Sequence, residues 1–359
     1  MAMQLPSAVR SALAGLCLFV ISVAAAPGLS LSVSGSKKFA GVQDFKITTS
    51  LVNTGNETLK LLKDPRTVLS SLPTDRFAIS NSEGASPAFT GARVKFVPEH
   101  VIENKIEDAF VVLEPGASHE LEHDLSTSYN FTASGKGTYD IHARNLFLYV
   151  HPATNKIAEL QATHEAFLTA SFAGPLSNAR RHASRATSQG CSTTQQNQIA
   201  LAIGGAAKYA SSSWSYLSLH TSSTTRYVSW FGAYDPNRHA TVLNHFKAIN
   251  SFPFSGNVGY DCSACMQRSD YKHLYAYVYP DQFGIIHLCG AFWTAPNTGN
   301  NSQAGTLIHE SSHFTAIAGT KDYVYGQTPA RRLAASNPAT AIFNADSHEY
   351  FAENIANEA

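Results

Sequence analysis

Charge is scarce in this chain. Only 14% of its 359 residues are charged, and 26 basic residues balance 26 acidic ones. It has no basic stripe and no long like-charge run, which argues against a nucleic-acid or anionic-membrane partner. No internal repeat is present. The longest apolar stretch, Ala12–Ala24, is short for a bilayer span and polar sequence soon follows it. Cysteine is limited to five residues. Cys262 and Cys265 form a CxxC pair with no second CxxC behind it, which disfavours a four-cysteine zinc knuckle or a thioredoxin-type motif. Lysine is unevenly spread. Lys37, Lys38, Lys46, Lys60, Lys63, Lys95, Lys105, Lys136 and Lys156 precede residue 187, and only Lys208, Lys247, Lys272 and Lys321 follow it.

The length allows two domains, and 44% apolar content is ordinary for a folded protein. The first 25 residues read as a secretory signal: Arg10, the apolar stretch Ala12–Ala24, then small residues, with cleavage expected after Ala25. The expected location is therefore extracellular. Removal of Cys17 with the signal leaves Cys191, Cys262, Cys265 and Cys289, an even set suited to two disulfides whose pairing spacing does not choose. N-glycosylation sequons stand at Asn56, Asn130 and Asn300.

From about Leu29 to Phe172 the pattern is that of strands. Leu29–Val33 alternates apolar and polar residues, Phe45–Val52 does so in part, and Leu146–Val150 is a short apolar run suited to a buried strand. Turn signals at Thr54-Gly-Asn and Glu114-Pro-Gly separate such runs, which predicts a β-sandwich. Ser177–Gly190 has no apolar periodicity and carries Arg180, Arg181 and Arg185; it reads as an exposed linker open to processing. After Cys191 the spacing turns helical. Helices are expected over Gln195–Leu217, from Asp235-Pro236 (burying Val242, Leu243 and Phe246), from near Ser302 to Ile317 with Gly319 ending it, and at Pro329 and Pro338 behind the caps Thr328 and Asn337. Leu274–Tyr279 and Ile285–Cys289 flank Asp281–Gly284 as a hairpin.

The most informative run is His309-Glu310-Ser311-Ser312-His313. Two histidines four apart share one helix face, as two imidazoles must to bind one zinc ion, and the adjacent glutamate can act as general base. A hydrolytic zinc site wants a third protein ligand. Asp322, behind a glycine turn, is the nearest candidate; His348, Glu349 and Glu353 lie further along.

Gly319-Thr-Lys-Asp-Tyr-Val-Tyr-Gly326 behind that motif resembles the GTxDxxYG signature of the deuterolysin (aspzincin) metalloendopeptidases. Tyr227–Phe231, Tyr277-Val-Tyr-Pro, Leu288–Trp293, Ser302–Phe314 and Asn344–Phe351 resemble the fungal peptidyl-lysine metalloendopeptidases, over essentially all of the chain from about Thr187. The resemblance implies a multidomain protein: signal peptide 1–25, β-rich sandwich-like propeptide 26–186, and a mainly α zincin-type catalytic domain 187–359 with a small hairpin. It implies one zinc on His309, His313 and Asp322. It makes Glu310 the general base toward a zinc-activated water and Tyr325 a donor to the developing oxyanion. It implies cleavage before lysine, with Asp346 and Glu349 holding the ammonium, and disulfides Cys191–Cys262 and Cys265–Cys289. Tyr275, where relatives carry phenylalanine, could wall the lysine stem, and the Cys265–Tyr277 segment is longer than in relatives.

The expected partners are lysine-containing proteins or peptides and the chain's own propeptide, with no nucleic acid, no membrane and a monomeric state. Zymogen latency is expected from steric cover, since no cysteine near the linker suggests a thiolate switch. Two alternatives are a deuterolysin-like protease of broader specificity and a catalytically inactive secreted binding protein.

Overall fold

The computed structural model describes residues 26–176, 188–267 and 271–354. The signal segment 1–25 and the basic part of the linker, with Arg180, Arg181 and Arg185, lie outside the described residues. Strands dominate before residue 176 and helices after residue 192.

Three four-stranded sheets build the N-terminal half. Leu29–Gly35 pairs antiparallel with Lys46–Asn53, which pairs in turn with Ser118–Asp124. In Lys46–Asn53 every second residue is buried, so the alternation visible in sequence marks the inward face. Gly137–Ala143 lies between Leu168–Phe172 and Phe77–Asn81. Leu146–Val150 lies between Ile157–Gln161 and Leu59–Leu62. All three sheets send side chains into one core, centred on Phe45, Phe131, Tyr139 and Phe172, whose rings meet edge-on or tilted. Leu146–Val150 is only half covered: Phe147 and Tyr149 point inward while Leu146 is exposed.

The C-terminal half is helical around a small sheet. Thr193–Leu219 starts in a capping box, the Ser192 hydroxyl accepting from Gln195 N and the Gln195 side chain accepting from Ser192 N. Pro236–Asn250 starts on Asp235, whose carboxylate accepts from Asn237 N and Arg238 N. It buries Val242 and Phe246, with Leu243 partly covered. Gln303–His313 is buried along its whole length and packs between Thr193–Leu219 and Ala345–Glu353. The approach to the last of these is close: a Cβ on Gly305 would meet the Glu353 carboxylate, so a larger residue there would displace that side chain. Both expected disulfides, Cys191–Cys262 and Cys265–Cys289, are formed.

Two helix bounds differ from expectation. The helix ends at His313 rather than Ile317, because Phe314 leaves helical geometry at ψ 129° and a turn follows. Gly319, at φ +58°, lies beyond that turn and does not cap the helix. The next helix is Gln327–Ser336, so Pro329 is inside its first turn and Gly326, at φ +90°, replaces Thr328 as the residue before it. That positive φ suits glycine alone among common residues. Pro338–Ala341 does start on Asn337, which accepts from Thr340 N.

One sheet joins the halves. Ser188–Gln189, Gly259–Asp261, Ile285–Leu288 and Ala276–Val278 are neighbours in that order, and the fifth strand, Arg93–Lys95, comes from the N-terminal half. It runs antiparallel to Ala276–Val278, with Lys95 opposite Ala276 and Val94 opposite Tyr277. An apolar cluster seals the junction: Leu62, Leu72, Val94, Phe96 and Val101 meet Tyr271, Leu274, Tyr277 and Tyr325. Among the described residues no helix is long and apolar enough to cross a membrane.

Candidate active site

The buried helix Gln303–His313 carries many polar side chains, and each needs a partner. The Ser302 hydroxyl caps it by accepting from Gly305 N, and Glu353 accepts from Ser302 N and Oγ at 2.8 Å each. Burial and nearby Glu349 raise the Glu353 carboxyl to about 8. Glu353 thus anchors the start of the helix and stands away from the histidines. His348 also lies elsewhere: its Nδ1 donates to Asn344 O at 3.0 Å and its Nε2 meets His245 Nδ1 at 3.1 Å.

Asp322 is the residue that returns to the helix. The Asn344 carboxamide accepts from Tyr323 N and Val324 N, and a bridge links Lys321 to Asn344, so the loop is held in a fixed curve. Asp322 Oδ1 lies 3.3 Å from His309 Nε2 and 3.2 Å from His313 Nε2. All three atoms are buried and none has a hydrogen-bond partner. Three converging, buried, unsatisfied donor atoms are the expected signature of a cation site. Burial opposes the charge on Asp322, but His313 and the contacts with both histidines outweigh it and hold the carboxyl well below the usual range.

The outward nitrogens are also fixed. His313 Nδ1 donates to Thr320 O at 2.9 Å, leaving Nε2 with the lone pair. His309 Nδ1 lies 3.0 Å from Asp346 Oδ1 and 3.3 Å from Glu349 Oε2. Carboxylate and carbonyl partners behind ligand imidazoles set tautomer and ring orientation.

Glu310 Oε1 accepts from Lys95 N at 2.9 Å, while Oε2 is buried without a partner. Burial, with Asp322 close by, pushes this carboxyl well above the usual range. Tyr325 is buried beneath Phe96, with the Arg66 guanidinium 4.6 Å from its ring centroid. Burial and the charge of Asp322 push its phenol well up. Arg66 also donates to Tyr323 O and is paired with Asp64, so the N-terminal half braces the Asp322–Tyr325 loop.

Asp346 and Glu349 share one face of Ala345–Glu353, and Lys95 reaches between them. Its Nζ is 3.2 Å from Asp346 Oδ1 and 2.7 Å from Glu349 Oε2. Burial works against that ammonium, but the two carboxylates prevail and hold it well above the usual lysine range. The Tyr350 ring centroid lies 4.8 Å from Nζ. Tyr275 meets Lys95 through the main chain, its N donating to Lys95 O at 3.0 Å, while its ring packs on Val97 and Ala291 and faces His100.

The sequence reading missed Lys95, Tyr350 and Arg66. The spacing of Asp346 and Tyr350, four apart on one helix, could have drawn Tyr350 into the pocket. Nothing distinguishes Lys95 from its neighbours in sequence.

Residues 216–353 match the family described as lysine-specific metallo-endopeptidase. A peptidyl-Lys metalloendopeptidase of Grifola frondosa is 48% identical over 347 residues, covering 96% of this chain and 98% of the relative. One of Armillaria mellea is 49% identical over 348 residues, covering 96% of this chain and 97% of the relative. An extracellular protease of Aeromonas hydrophila is 33% identical over 327 residues, covering 88% of this chain and 89% of the relative. With relatives this similar aligned over nearly its whole length, the chain belongs to the lysine-specific metallo-endopeptidase family and is a metalloendopeptidase.

Proposed function

We propose that this chain is the secreted zymogen of a zinc endopeptidase that hydrolyses peptide bonds on the amino side of lysine. The observation that carries the lysine preference is the side chain of Lys95, fully buried between Asp346 and Glu349 while its own amide nitrogen touches Glu310. A lysine peptide thus already lies across the site in a direction that puts its nitrogen at the catalytic carboxylate.

His309, His313 and Asp322 fit zinc in ligand type and number. Zinc held there supplies a Lewis acid that polarises the scissile carbonyl and makes water acidic enough to attack near neutral pH. The remaining roles belong to the chain. Glu310 takes a proton from the attacking water and delivers it to the departing nitrogen, the atom whose N–H it now accepts. Tyr325 donates to the carbonyl oxygen as negative charge develops on it. Tyr275 N and the Ala276–Val278 edge hold the substrate extended. Asp346 and Glu349 fix the ammonium, and Tyr350 covers it.

The propeptide role of residues 26–186 is supported by the strand Arg93–Lys95, which fills the cleft. The lack of lysine in the arginine-bearing linker fits activation there by another protease, near Arg181 or Arg185. Secretion is supported by the signal-like N-terminus and by the Aeromonas relative's description as extracellular.

The test is to digest a mixed peptide set with the processed protein and sequence the new N-termini. Lysine should stand first in them, and a zinc chelator should abolish the cuts. A broad set of N-termini removes the lysine preference, and chelator-resistant cuts remove the metal mechanism.

A further inference from the structure

Nine lysines precede residue 187, and eight of them are exposed or half-buried; Lys95 alone is wholly inside. Its side chain and both of its main-chain polar groups are held as those of a bound substrate would be. The ammonium is in the acidic pocket, Lys95 O accepts from Tyr275 N, and Lys95 N donates to Glu310 Oε1. On the other side of the peptide bond, Val94 N donates to Asp322 Oδ2 at 2.9 Å. Asp322 therefore keeps Oδ1 toward the histidines while Oδ2 grips the chain. The Val94–Lys95 amide is bracketed by the base on one side and the third metal-site carboxylate on the other.

Steric cover does not require any of this. A lid could cross the cleft in either direction, in any register, with any side chain over the pocket. This strand has the direction, the register and the side chain of a substrate for cleavage before lysine. We infer that Val94–Lys95 is the enzyme's own first substrate, a bond cut within the molecule once the metal is bound. This rests on the zinc endopeptidase reading above.

In that reaction the oxygen of one water bonds to the Val94 carbonyl carbon. The C–N bond breaks with its electron pair going to the Lys95 nitrogen. One water proton, carried by Glu310, ends on that nitrogen as the bond breaks, and the second passes to it from the new Val94 carboxyl group. The products are a Val94 carboxylate and a Lys95 ammonium, with nothing oxidised or reduced.

The cut does not by itself open the site. Val94 and Phe96, on either side of it, are buried in the cluster shared by both halves, and Lys95 stays paired with its acids. The cleaved protein is therefore clipped but closed, and gains access to outside substrates only when the N-terminal half is broken down.

The experiment uses the full chain, stripped of metal and then given zinc, at two protein concentrations about tenfold apart. Under denaturing conditions, mass spectrometry should find two pieces, one ending at Val94 and one starting at Lys95, together heavier than the parent by one water. The rate should be the same at both concentrations. Native mass spectrometry should show the two pieces still together, a readout independent of turnover. Glu310→Gln should leave the bond whole. Lys95→Met removes the ammonium from between two buried acids and threatens folding, so Lys95→Arg is the companion: it keeps the charge and should slow the cut by about tenfold or more. A cut in Lys95→Arg as fast as in the parent overturns the inference, and so does a rate that rises with concentration. New N-termini that all begin with lysine but never at Lys95 overturn this inference while leaving the endopeptidase reading in place. N-termini without lysine overturn that reading itself.

Discussion

Lys95 Nζ lies 2.7 Å from Glu349 Oε2, and both side chains are wholly excluded from solvent. A buried ion pair loses about 3–5 kcal/mol when one partner is removed, because the other is left charged and unsolvated. Glu349→Gln should therefore lower kcat/KM for lysyl peptides by on the order of a hundredfold, compared at equal zinc occupancy because Glu349 also stands behind His309. Kinetics on matched lysyl and arginyl peptides check this; an unchanged ratio would place specificity elsewhere.

Glu310→Gln keeps the shape of the side chain and removes its basicity. The variant should fold and bind zinc normally while kcat falls by roughly 10²–10⁴-fold. Metal analysis alongside the assay separates loss of chemistry from loss of metal.

Tyr325→Phe removes a hydroxyl that is buried close to the charge of Asp322. The expected outcome is a fall in kcat of about 10²–10³-fold with little change in KM, since the hydrogen bond is made to charge that develops only in the transition state. A change confined to KM would make Tyr325 a packing residue.

Three histidines give stability a defined pH dependence. Burial lowers His123 to about 3, His245 to about 4 and His348 to about 3. The unfolded chain takes up protons near the ordinary value of about 6.5, while the folded chain resists until far lower, so stability falls as pH drops through that window. His245 alone accounts for up to about 3 kcal/mol across it. Urea midpoints measured at about pH 7 and about pH 4.5 should show the loss, and His245→Phe should reduce the slope. Glu353, raised to about 8, acts in the opposite sense: its contribution is full below its unfolded value and fades as pH rises through 8.

Local patterns made much of this legible. The alternation in Phe45–Val52, the Asn337 cap before Pro338 and the His309/His313 spacing all depend on neighbours in sequence, and each forms as expected. Asp322 could be reached because a glycine turn precedes it. The early end of the helix at His313 was hidden, since it follows from the contacts the next turn makes: Thr315 N to Pro280 O, and Thr320 N back to Ser312 O. The start of Gln327–Ser336 was misplaced because proline at its third position resembles proline at a first. Lys95 was illegible for a stronger reason. Its partners are 251 and more residues away, and no local rule connects a short strand to a helix that far along.

That separation sets an order of assembly. The ribosome makes Lys95 well before the helix Ala345–Glu353. Neither wall of the acidic pocket exists until that helix is made, and by then the strand that fills it has long been available to fold. The cleft therefore closes around an occupant already in place, and the nascent protein has no interval in which a finished, vacant active site faces the chains around it.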